Sequence, residues 1–266
     1  MSEFPPPLTP SPAPSGTPSA TAPADGWAVD AGHGATWWSD GWRLFVASPG
    51  IWIAILIIYL LIMMGLSFIP FIGQLASSLL WPVLGAGTLI GARELDRGGV
   101  LKIEHMFACF NAKAVPLIIV ALLYYVGWLV LWLVAAVVLV MMFGLDTLSS
   151  LVSSDPSEAG LALLQTLGIG SLLVVLVAML FAVPLLMAYW FAPALVVFRG
   201  ADPVAALKTS FVACLRNMPP FLIYGLLGLL FAIIATIPFL LGWLVFGPVY
   251  VCSLYTSYKD IFGTPD

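Results

Sequence analysis

Charge is scarce in this sequence: only 8% of its 266 residues are Asp, Glu, Lys or Arg, while 62% are hydrophobic and the mean hydropathy is +1.09. Soluble domains usually contain about 25% charged residues, so this composition cannot cover a water-exposed surface. Apolar runs of roughly 20 residues recur, which is the length that a helix needs to cross a bilayer. Because backbone polar groups in lipid must be satisfied internally, we expect an all-α, polytopic membrane protein.

Residues that carry chemistry are also few. Three cysteines show no C-x-x-C spacing, and the two histidines are far apart in the sequence. No G-x-S-x-G, P-loop, H-E-x-x-H or paired-carboxylate motif is present. We therefore expect no catalytic residues, no metal site and no cofactor, and neither an enzyme nor a nucleic-acid-binding protein.

The first 24 residues contain eight prolines among Ser, Thr and Ala, without the basic start and apolar core of a signal peptide. Such a composition cannot bury a core, so residues 1–35 are interpreted as a disordered cytoplasmic tail. Residues 36–266 then form the membrane domain.

Six membrane spans are predicted in that domain. The fourth run is too long for one span, and Pro184 and Pro193 are expected to kink or break it. The predicted spans are Ile51–Ile69, Gln74–Ala92, Pro116–Phe143, Leu161–Phe198, Pro219–Ile237 and Phe239–Tyr258.

All nine basic residues fall on one side of this map, whereas the loop after the third span carries only Asp146, Asp155 and Glu158. The positive-inside rule places both termini in the cytoplasm. The basic residues are Arg43, Arg93, Arg97, Lys102, Lys113, Arg199, Lys208, Arg216 and Lys259.

Two segments, "IPFIG" and "IPFLLG", each separate a pair of predicted spans. Pro70 and Gly73, like Pro238 and Gly242, are residues that end a helix and permit a reversal of the chain. Each is followed by a span with an internal proline and then a pair of small residues four apart, which allows close helix packing in lipid. The pairs are Gly87 and Gly91 after Pro82, and Ser253 and Ser257 after Pro248.

A repeated helical hairpin explains this pattern. We predict three units, at about 36–98, 99–200 and 201–266, each preceded by a short cytoplasmic interfacial amphipathic helix. The middle hairpin lacks the I-P-F turn and the pair of small residues. Either this unit was modified for a special task, or its sequence drifted without functional demand. The apolar positions of the interfacial helices are Trp38, Trp42 and Phe45; Ile103, Met106, Phe107 and Phe110; and Val204, Leu207, Phe211 and Cys214.

Basic and aromatic residues in these helices suit anionic lipid headgroups, although ordinary membrane anchoring is the more common reason for them. We expect contacts with lipid or a protein partner at these helices and the adjacent helix ends. The candidates are Trp38, Trp42, Arg43, Phe45, Arg93, Arg97, Lys102, Phe107, Lys113, Lys208, Phe211 and Arg216.

Several segments, including "SDGWRLFVASPGIWI", "IPFIG", "WPVLGAGTLIGARELDRGG" and "EHMFACF", resemble the uncharacterised BPSS-type family of proteobacterial multi-pass inner-membrane proteins. The resemblance covers residues 38–260 and implies a location in the bacterial inner membrane. It assigns no catalytic residues and no substrate to the chain. Cys109 stands where family members tend to have glycine.

These observations predict a non-enzymatic accessory or scaffold subunit of a membrane assembly. Its expected partners are membrane lipids and other integral membrane proteins or a second copy of itself. The alternative is a transporter or channel for a hydrophobic or amphipathic solute, which requires a cavity between the helices. A lipid-modifying enzyme is a third hypothesis, which requires His105, Cys109 and acidic residues around one cavity.

Overall fold

The computed structural model describes residues 23–111, 113–153, 175–176 and 178–264, with the backbone alone at residues 139 and 142–153; every regular element among them is a helix. The tail prediction for residues 1–22, the acids Asp155 and Glu158, and the start of the predicted fourth span lie outside the described residues. The helices are α1 (His33–Ala47), α2 (Pro49–Ser67), α3 (Ile72–Asp96), a 3-10 helix (Ile103–Phe107), α4 (Ala114–Ser153), α5 (178–190), α6 (Ala192–Arg199), α7 (Pro203–Arg216), α8 (Met218–Thr236) and α9 (Trp243–Phe262).

Within the described residues, five helical segments are long and apolar enough to cross a membrane. The polytopic all-helical fold is therefore confirmed. Helix α9 is 20 residues long but more polar, with Ser253, Thr256, Ser257 and Lys259 in its second half, so the sixth span stays a prediction. The five segments are Pro49–Ser67, Ile72–Asp96, Ala114–Val138, Ala178–Arg199 and Met218–Thr236.

Prolines begin several of these helices because their missing N–H is unpaired in a first turn in any case. Pro49 begins α2 and Pro203 begins α7. Asp202 caps α7 as its side chain accepts the backbone N–H of Val204 at 3.0 Å. Helix α4 continues to Ser153, although we predicted a loop after Phe143, because the segment from 145 to 153 contains neither proline nor glycine to end it.

The two I-P-F segments form the turns between α2 and α3 and between α8 and α9. Gly73 packs against the Leu66 carbonyl, and Gly242 packs against the backbone of Ala235, in both cases seven residues earlier. Phe71 has a left-handed φ of 59° and is 91% exposed. In the second turn Phe239 has a φ of 50° and is 94% exposed. We call this end of the bundle the apolar end.

At the opposite end lie α1, the 3-10 helix, α7 and the last turns of α3, α6 and α9, with all nine basic residues. We call it the basic end. The core is concentrated here, where Trp37, Tyr255, Tyr258 and Phe191 are almost completely buried. Large side chains of α2, α4 and α8 nearer the apolar end are mostly exposed, as expected for lipid-facing surfaces.

Three short segments of the basic end each contact a neighbouring part of the bundle at a corresponding position, two by close backbone approach and one by a hydrogen bond. The contact residue lies eight positions before the first residue of α2, α4 or α8, and it is buried each time. The pairs are Gly41 against Ser253 of α9, Met106 against Gly87 of α3, and Ser210 against Phe191 between α5 and α6.

The prediction of an amphipathic helix around residues 102–113 is wrong. The segment forms a short 3-10 helix, in which Met106 is buried while Phe107 and the following Phe110 are largely exposed. The cause is the close approach of backbones: Gly87 faces the Met106 carbonyl and Gly91 faces the Leu101 side chain, so the segment lies flat across α3.

Residues 23–32 also differ from the predicted tail. The Trp27 N–H donates to the Ile261 carbonyl at 2.7 Å, and the Val29 N–H donates to Oδ1 of Asn217 at 2.8 Å. Asn217 in turn donates through Nδ2 to the Trp27 carbonyl at 3.0 Å. This segment fastens α9 to the α7–α8 junction, so residues 23–35 belong to the folded part of the chain and not to the predicted tail.

Candidate functional site: a cavity between the membrane helices

A cavity of about 1240 Å³ lies between α2, α3, α5, α8 and α9. Small-molecule sites usually enclose roughly 300–1,000 Å³, so this space suits a larger molecule. Trp38 of α1 and Cys214 of α7 close it toward the basic end.

Two glycines without side chains contribute to the open space of the cavity. Gly85 of α3 and Gly225 of α8 line the cavity, and a Cβ atom built on either one meets no other atom within 4 Å. Leucine or phenylalanine in their place would project into the cavity. The helices around the cavity are therefore held apart by contacts elsewhere, chiefly at the basic end.

The cavity wall is apolar and uncharged. Among the described residues that line it, none is Asp, Glu, Lys, Arg or His. Tyr224 and Thr88 are among its few polar side chains, and both are paired: the Tyr224 hydroxyl lies 2.8 Å from Oγ of Ser253, and Thr88 donates to the Gly85 carbonyl at 2.6 Å. Such a wall favours apolar molecules and offers no charge for coupled ion transport.

Two residues of the lining carry a buried polar atom that has no hydrogen-bond partner among the described residues: Tyr59 of α2 with Oη and Trp190 of α5 with Nε1. The Trp190 ring is held nearly perpendicular to the rings of Phe221, Tyr224 and Tyr250, at centroid distances of 5.6–6.3 Å. The Tyr59 ring meets Trp81 edge to face at 5.5 Å. Both side chains are thus fixed by aromatic contacts and not by their polar atoms.

The cavity is open along its side in the described part of the chain. Trp81 and Leu222, which line it, are 56% and 66% exposed, fractions typical of surface side chains. Since α3 and α8 face the bilayer, a molecule dissolved in the lipid could enter between the helices.

The basic end, in contrast, is closed by polar contacts. Asp96 of α3 accepts hydrogen bonds from Lys259 at 2.6 Å and from the Tyr255 hydroxyl at 3.0 Å, and its side chain is only 8% exposed. Asp260 lies 2.7 Å from Nδ1 of His33 and accepts the indole N–H of Trp37 at 2.8 Å. Helix α9 is thereby joined to α3 and α1.

Basic residues of this end also make structural contacts. Arg93 stacks over the Phe198 ring at 5.1 Å, and Arg199 stacks over the Phe262 ring at the same distance. Lys113 donates to the Val197 carbonyl. Arg216 forms an ion pair with Asp25 at 3.6 Å.

Two of the predicted lipid-contact residues require correction: Trp38 and Phe45 are buried. Trp38 stacks on Tyr224 at 4.8 Å and donates to the Tyr224 carbonyl at 3.0 Å. The reason is that α1 packs its aromatic face on α8 and α9 and does not lie free at the interface. The predicted candidates that remain exposed are Trp42, Arg43, Arg97, Lys102, Phe107, Lys208 and Arg216, with Phe211 half-buried.

The small residues predicted for packing are all buried, but their partners differ. Gly87 and Gly91 face the 3-10 segment, and Ser253 faces Gly41 of α1. Ser257 donates to the Leu254 carbonyl of its own helix at 2.8 Å. Gly87, Gly91 and Ser253 therefore fix short segments of the basic end, whereas Ser257 bonds within α9.

His105 and Cys109, the residues of the lipid-enzyme hypothesis, lie outside the cavity lining. His105 accepts the Lys102 N–H at 3.2 Å, and Cys109 is buried in the core. Burial raises the pKa of the Cys109 thiol to about 11, a rise that the nearby Lys113 partly offsets. A thiol with this pKa carries little thiolate at neutral pH and is a poor nucleophile.

Sequence reasoning missed Tyr59 and Trp190. A hydroxyl in the middle of an apolar run was the available signal for Tyr59. No pattern distinguishes Trp190 from the chain's other nine tryptophans.

The fold and cavity define a polytopic α-helical membrane protein. The chain is similar to a probable inner membrane protein of Burkholderia thailandensis, with 28% identity over 90% of this chain and 94% of the relative. No family model matches the chain. No solved structure matches it. The resemblance to proteobacterial inner-membrane proteins is confirmed, and the chain is a multi-pass helical membrane protein.

Proposed function

We propose that this protein is a non-enzymatic integral membrane protein that holds a lipid-like molecule in its cavity and acts as an accessory or scaffold subunit of a membrane assembly. The observation that carries the proposal is the apolar cavity of about 1240 Å³, open along its side. A preformed apolar space accommodates hydrocarbon. It excludes polar solutes, because its wall offers them no hydrogen-bond partner.

The proposal includes three repeated units with six spans. The equivalent contacts of Gly41, Met106 and Ser210 support it, because each joins the segment before one hairpin to the second helix of another hairpin. Three such contacts close a ring of three units around the cavity. If the hairpins were unrelated, there would be no reason for residues at corresponding positions to make these three contacts.

Both termini are proposed to be cytoplasmic. All nine basic residues lie at the basic end, where α1 begins and α9 ends. There, exposed Trp42, Lys102, Phe107 and Lys208 suit anionic headgroups on that face of the membrane.

Partner subunits are proposed to contact the outer surfaces of the bundle. Along α4, Val126, Trp132 and Leu133 are more than half exposed and form a continuous apolar surface for lipid or another membrane helix. Gentle detergent extraction followed by native mass spectrometry tests this part. A complex with a second membrane protein or a second copy supports it, and a lone monomer contradicts it.

Filling the cavity tests the central part. Gly85→Phe places a ring in the cavity, whereas Gly65→Phe adds the same ring to the exposed surface of α2, where nothing lies within 4 Å either. We expect native mass spectrometry to find bound lipid on the wild type and on Gly65→Phe, and at least about tenfold less on Gly85→Phe. Equal retention on all three proteins would contradict a lipid in the cavity.

A transporter or channel for a hydrophobic solute is the second candidate, and the cavity favours it as well. The two functions differ in whether the protein moves the bound lipid from one leaflet of the membrane to the other. If the protein in liposomes moves fluorescent lipid between leaflets at rates that Gly85→Phe abolishes, transport is its function; retention without movement supports the holding role.

A further inference from the structure

We propose that the two turns of the apolar end lie in the lipid of the leaflet at that end and not in water, with Phe71 and Phe239 as their anchors. Neither turn contains a charged residue, and both present large apolar side chains that are 48% to 94% exposed. These side chains are Phe68, Ile69, Phe71 and Ile72 in the first turn and Ile237, Phe239, Leu240 and Leu241 in the second. A patch of this kind in water would be an aggregation site, whereas in a membrane it is a lipid contact.

The backbone of both turns is strained at these residues. Phe71 has a φ of 59° and a ψ of −59°, and the next N–H, that of Ile72, donates to the Pro70 carbonyl at 2.6 Å. This is a γ-turn of the rare, strained kind. Phe239 and Leu240 have φ values of 50° and 67°, where glycine is the usual residue. Both phenyl rings are too exposed for contacts within the chain to offset this strain, whereas their burial in hydrocarbon does so.

The second turn also satisfies its own backbone donors. The Phe239 N–H donates to the Ile237 carbonyl at 2.9 Å, and the Leu241 N–H donates to the Pro238 carbonyl at 3.0 Å. The N–H of Leu240 between them donates to the carbonyl four residues earlier at 3.3 Å, and Pro238 has no N–H. A turn in water can leave such groups to the solvent. A turn in lipid must pair them internally, because the bilayer core supplies no partner.

The lengths of the helices place both turns at the same depth. Helices α2 and α8 start at the basic end and have 19 residues each. At 1.5 Å per residue each is about 28 Å long, so it ends close to the far edge of a hydrocarbon core of about 30 Å. Helix α4 also starts at the basic end but has 40 residues. Its length of about 60 Å carries it well beyond the membrane on the same side.

The hairpins therefore differ at the apolar end. The α2–α3 and α8–α9 hairpins, which line the cavity, turn around within the membrane boundary. The α4 extension, residues 139–153 with Asp146, projects into the water on that side. A water-soluble protein on that side would contact this extension, whereas the turns beside the cavity contact lipid.

A fluorescent reporter at each turn tests the proposal. Full-length protein with Phe71→Cys, Phe239→Cys or the control Ser150→Cys is labelled with monobromobimane and reconstituted in vesicles of dioleoyl phosphatidylethanolamine and dioleoyl phosphatidylglycerol. Ser150 lies in the α4 extension. The wild type, taken through the same labelling, is the blank because its three cysteines are buried.

Two quenchers separate water from lipid. Iodide, present on both sides of the vesicles, quenches the label from water, and a lipid with a nitroxide near the glycerol end of its acyl chain quenches it from the membrane. We expect iodide quenching at residues 71 and 239 to be at least about threefold weaker than at residue 150, because ions do not enter the bilayer core. Quenching by the nitroxide lipid should be at least about threefold stronger at the two turns, since apolar groups of a membrane surface lie at the boundary of headgroups and acyl chains.

The other outcomes contradict the proposal. Equal iodide quenching at all three positions would place the turns in water. Protection from iodide without quenching by the nitroxide lipid would show that protein covers the turns, either a second copy or another segment of this chain. If Phe71→Cys or Phe239→Cys does not fold, Phe68→Cys and Ile237→Cys report on the same turns, because these side chains are 79% and 74% exposed.

Discussion

The basic end and the region around the cavity are both rich in apolar residues. The basic end is tightly packed, whereas the helices around the cavity leave open space. At the basic end, Asp96 and Asp260 accept short hydrogen bonds, and Gly41 and Gly87 bring backbones into direct contact. Around the cavity, Gly85 and Gly225 face open space. The same residue type thus closes one region and opens the other.

This difference indicates a division of labour. In lipid, apolar side chains gain little from packing together, so a helical bundle is fixed by close backbone contacts and polar bonds. This protein concentrates those contacts at one end. Beyond that end the helices stand apart around the cavity. The following substitutions test the two regions against each other.

Two glycines separated by a single residue in α3 give the largest contrast. Gly87→Leu forces a side chain into the backbone of residues 105 and 106, and we expect destabilisation by about 3 kcal/mol or more and a sharp loss of folded protein. Gly85→Leu enters the cavity and should leave the yield nearly unchanged. Thermal unfolding and monodisperse yield in detergent compare the two, and equal damage by both would contradict the division.

The reactivity of the Cys109 thiol tests whether the basic end is closed to solvent. The pKa of Cys109 is raised to about 11, so its thiolate fraction at pH 8 is roughly 100-fold below that of a thiol with the ordinary pKa of 9.0. We expect labelling by a water-soluble maleimide to be at least that much slower in the folded protein than in denaturant, and to accelerate as the pH rises toward 11. Mass spectrometry of the Cys109 peptide measures it, and fast labelling of folded protein at pH 8 would show that this end opens.

The Asp96 contacts give a moderate effect. Asp96→Ala leaves the half-buried Lys259 and the buried Tyr255 without their acceptor, and we expect a loss of about 1–3 kcal/mol. Asp40→Ala is the control because Asp40 forms an exposed pair with Arg43 at 3.7 Å, which contributes about 0–1 kcal/mol. Unfolding in denaturant compares the two variants. Equal stability would show that the Asp96 contacts do not stabilise the basic end.

The turn at the apolar end gives the smallest effect. Phe71 has a φ of 59°, where glycine is less strained, and its side chain is 91% exposed. Phe71→Gly should therefore change stability by about 1 kcal/mol or less, measured by thermal unfolding. A large loss would indicate that the Phe71 ring contacts something essential outside the chain.

Much of the helix pattern was predictable because length and apolarity specify a membrane helix. The predicted run Ile51–Ile69 corresponds to α2 and the predicted Pro219–Ile237 to α8, each within about two residues. The prolines and glycines of the turns were readable for the same reason, since their backbone properties are local.

The inner arrangement was not predictable in the same way. A soluble helix shows its buried side as its apolar side, but in a chain with 62% hydrophobic residues both sides are apolar. Trp38 and Phe45 therefore resembled interfacial anchors although they are core residues. Tyr59, Trp190 and the open space at Gly85 depend on how distant helices meet, which no local pattern records.

An experimental map of the protein extracted with its native lipids tests the central claim most directly. The account predicts elongated density between α3 and α8, in the apolar space beside Gly85 and Gly225. Helices α3 and α8 packed together, with side chains filling the space at Gly85 and Gly225, would contradict it.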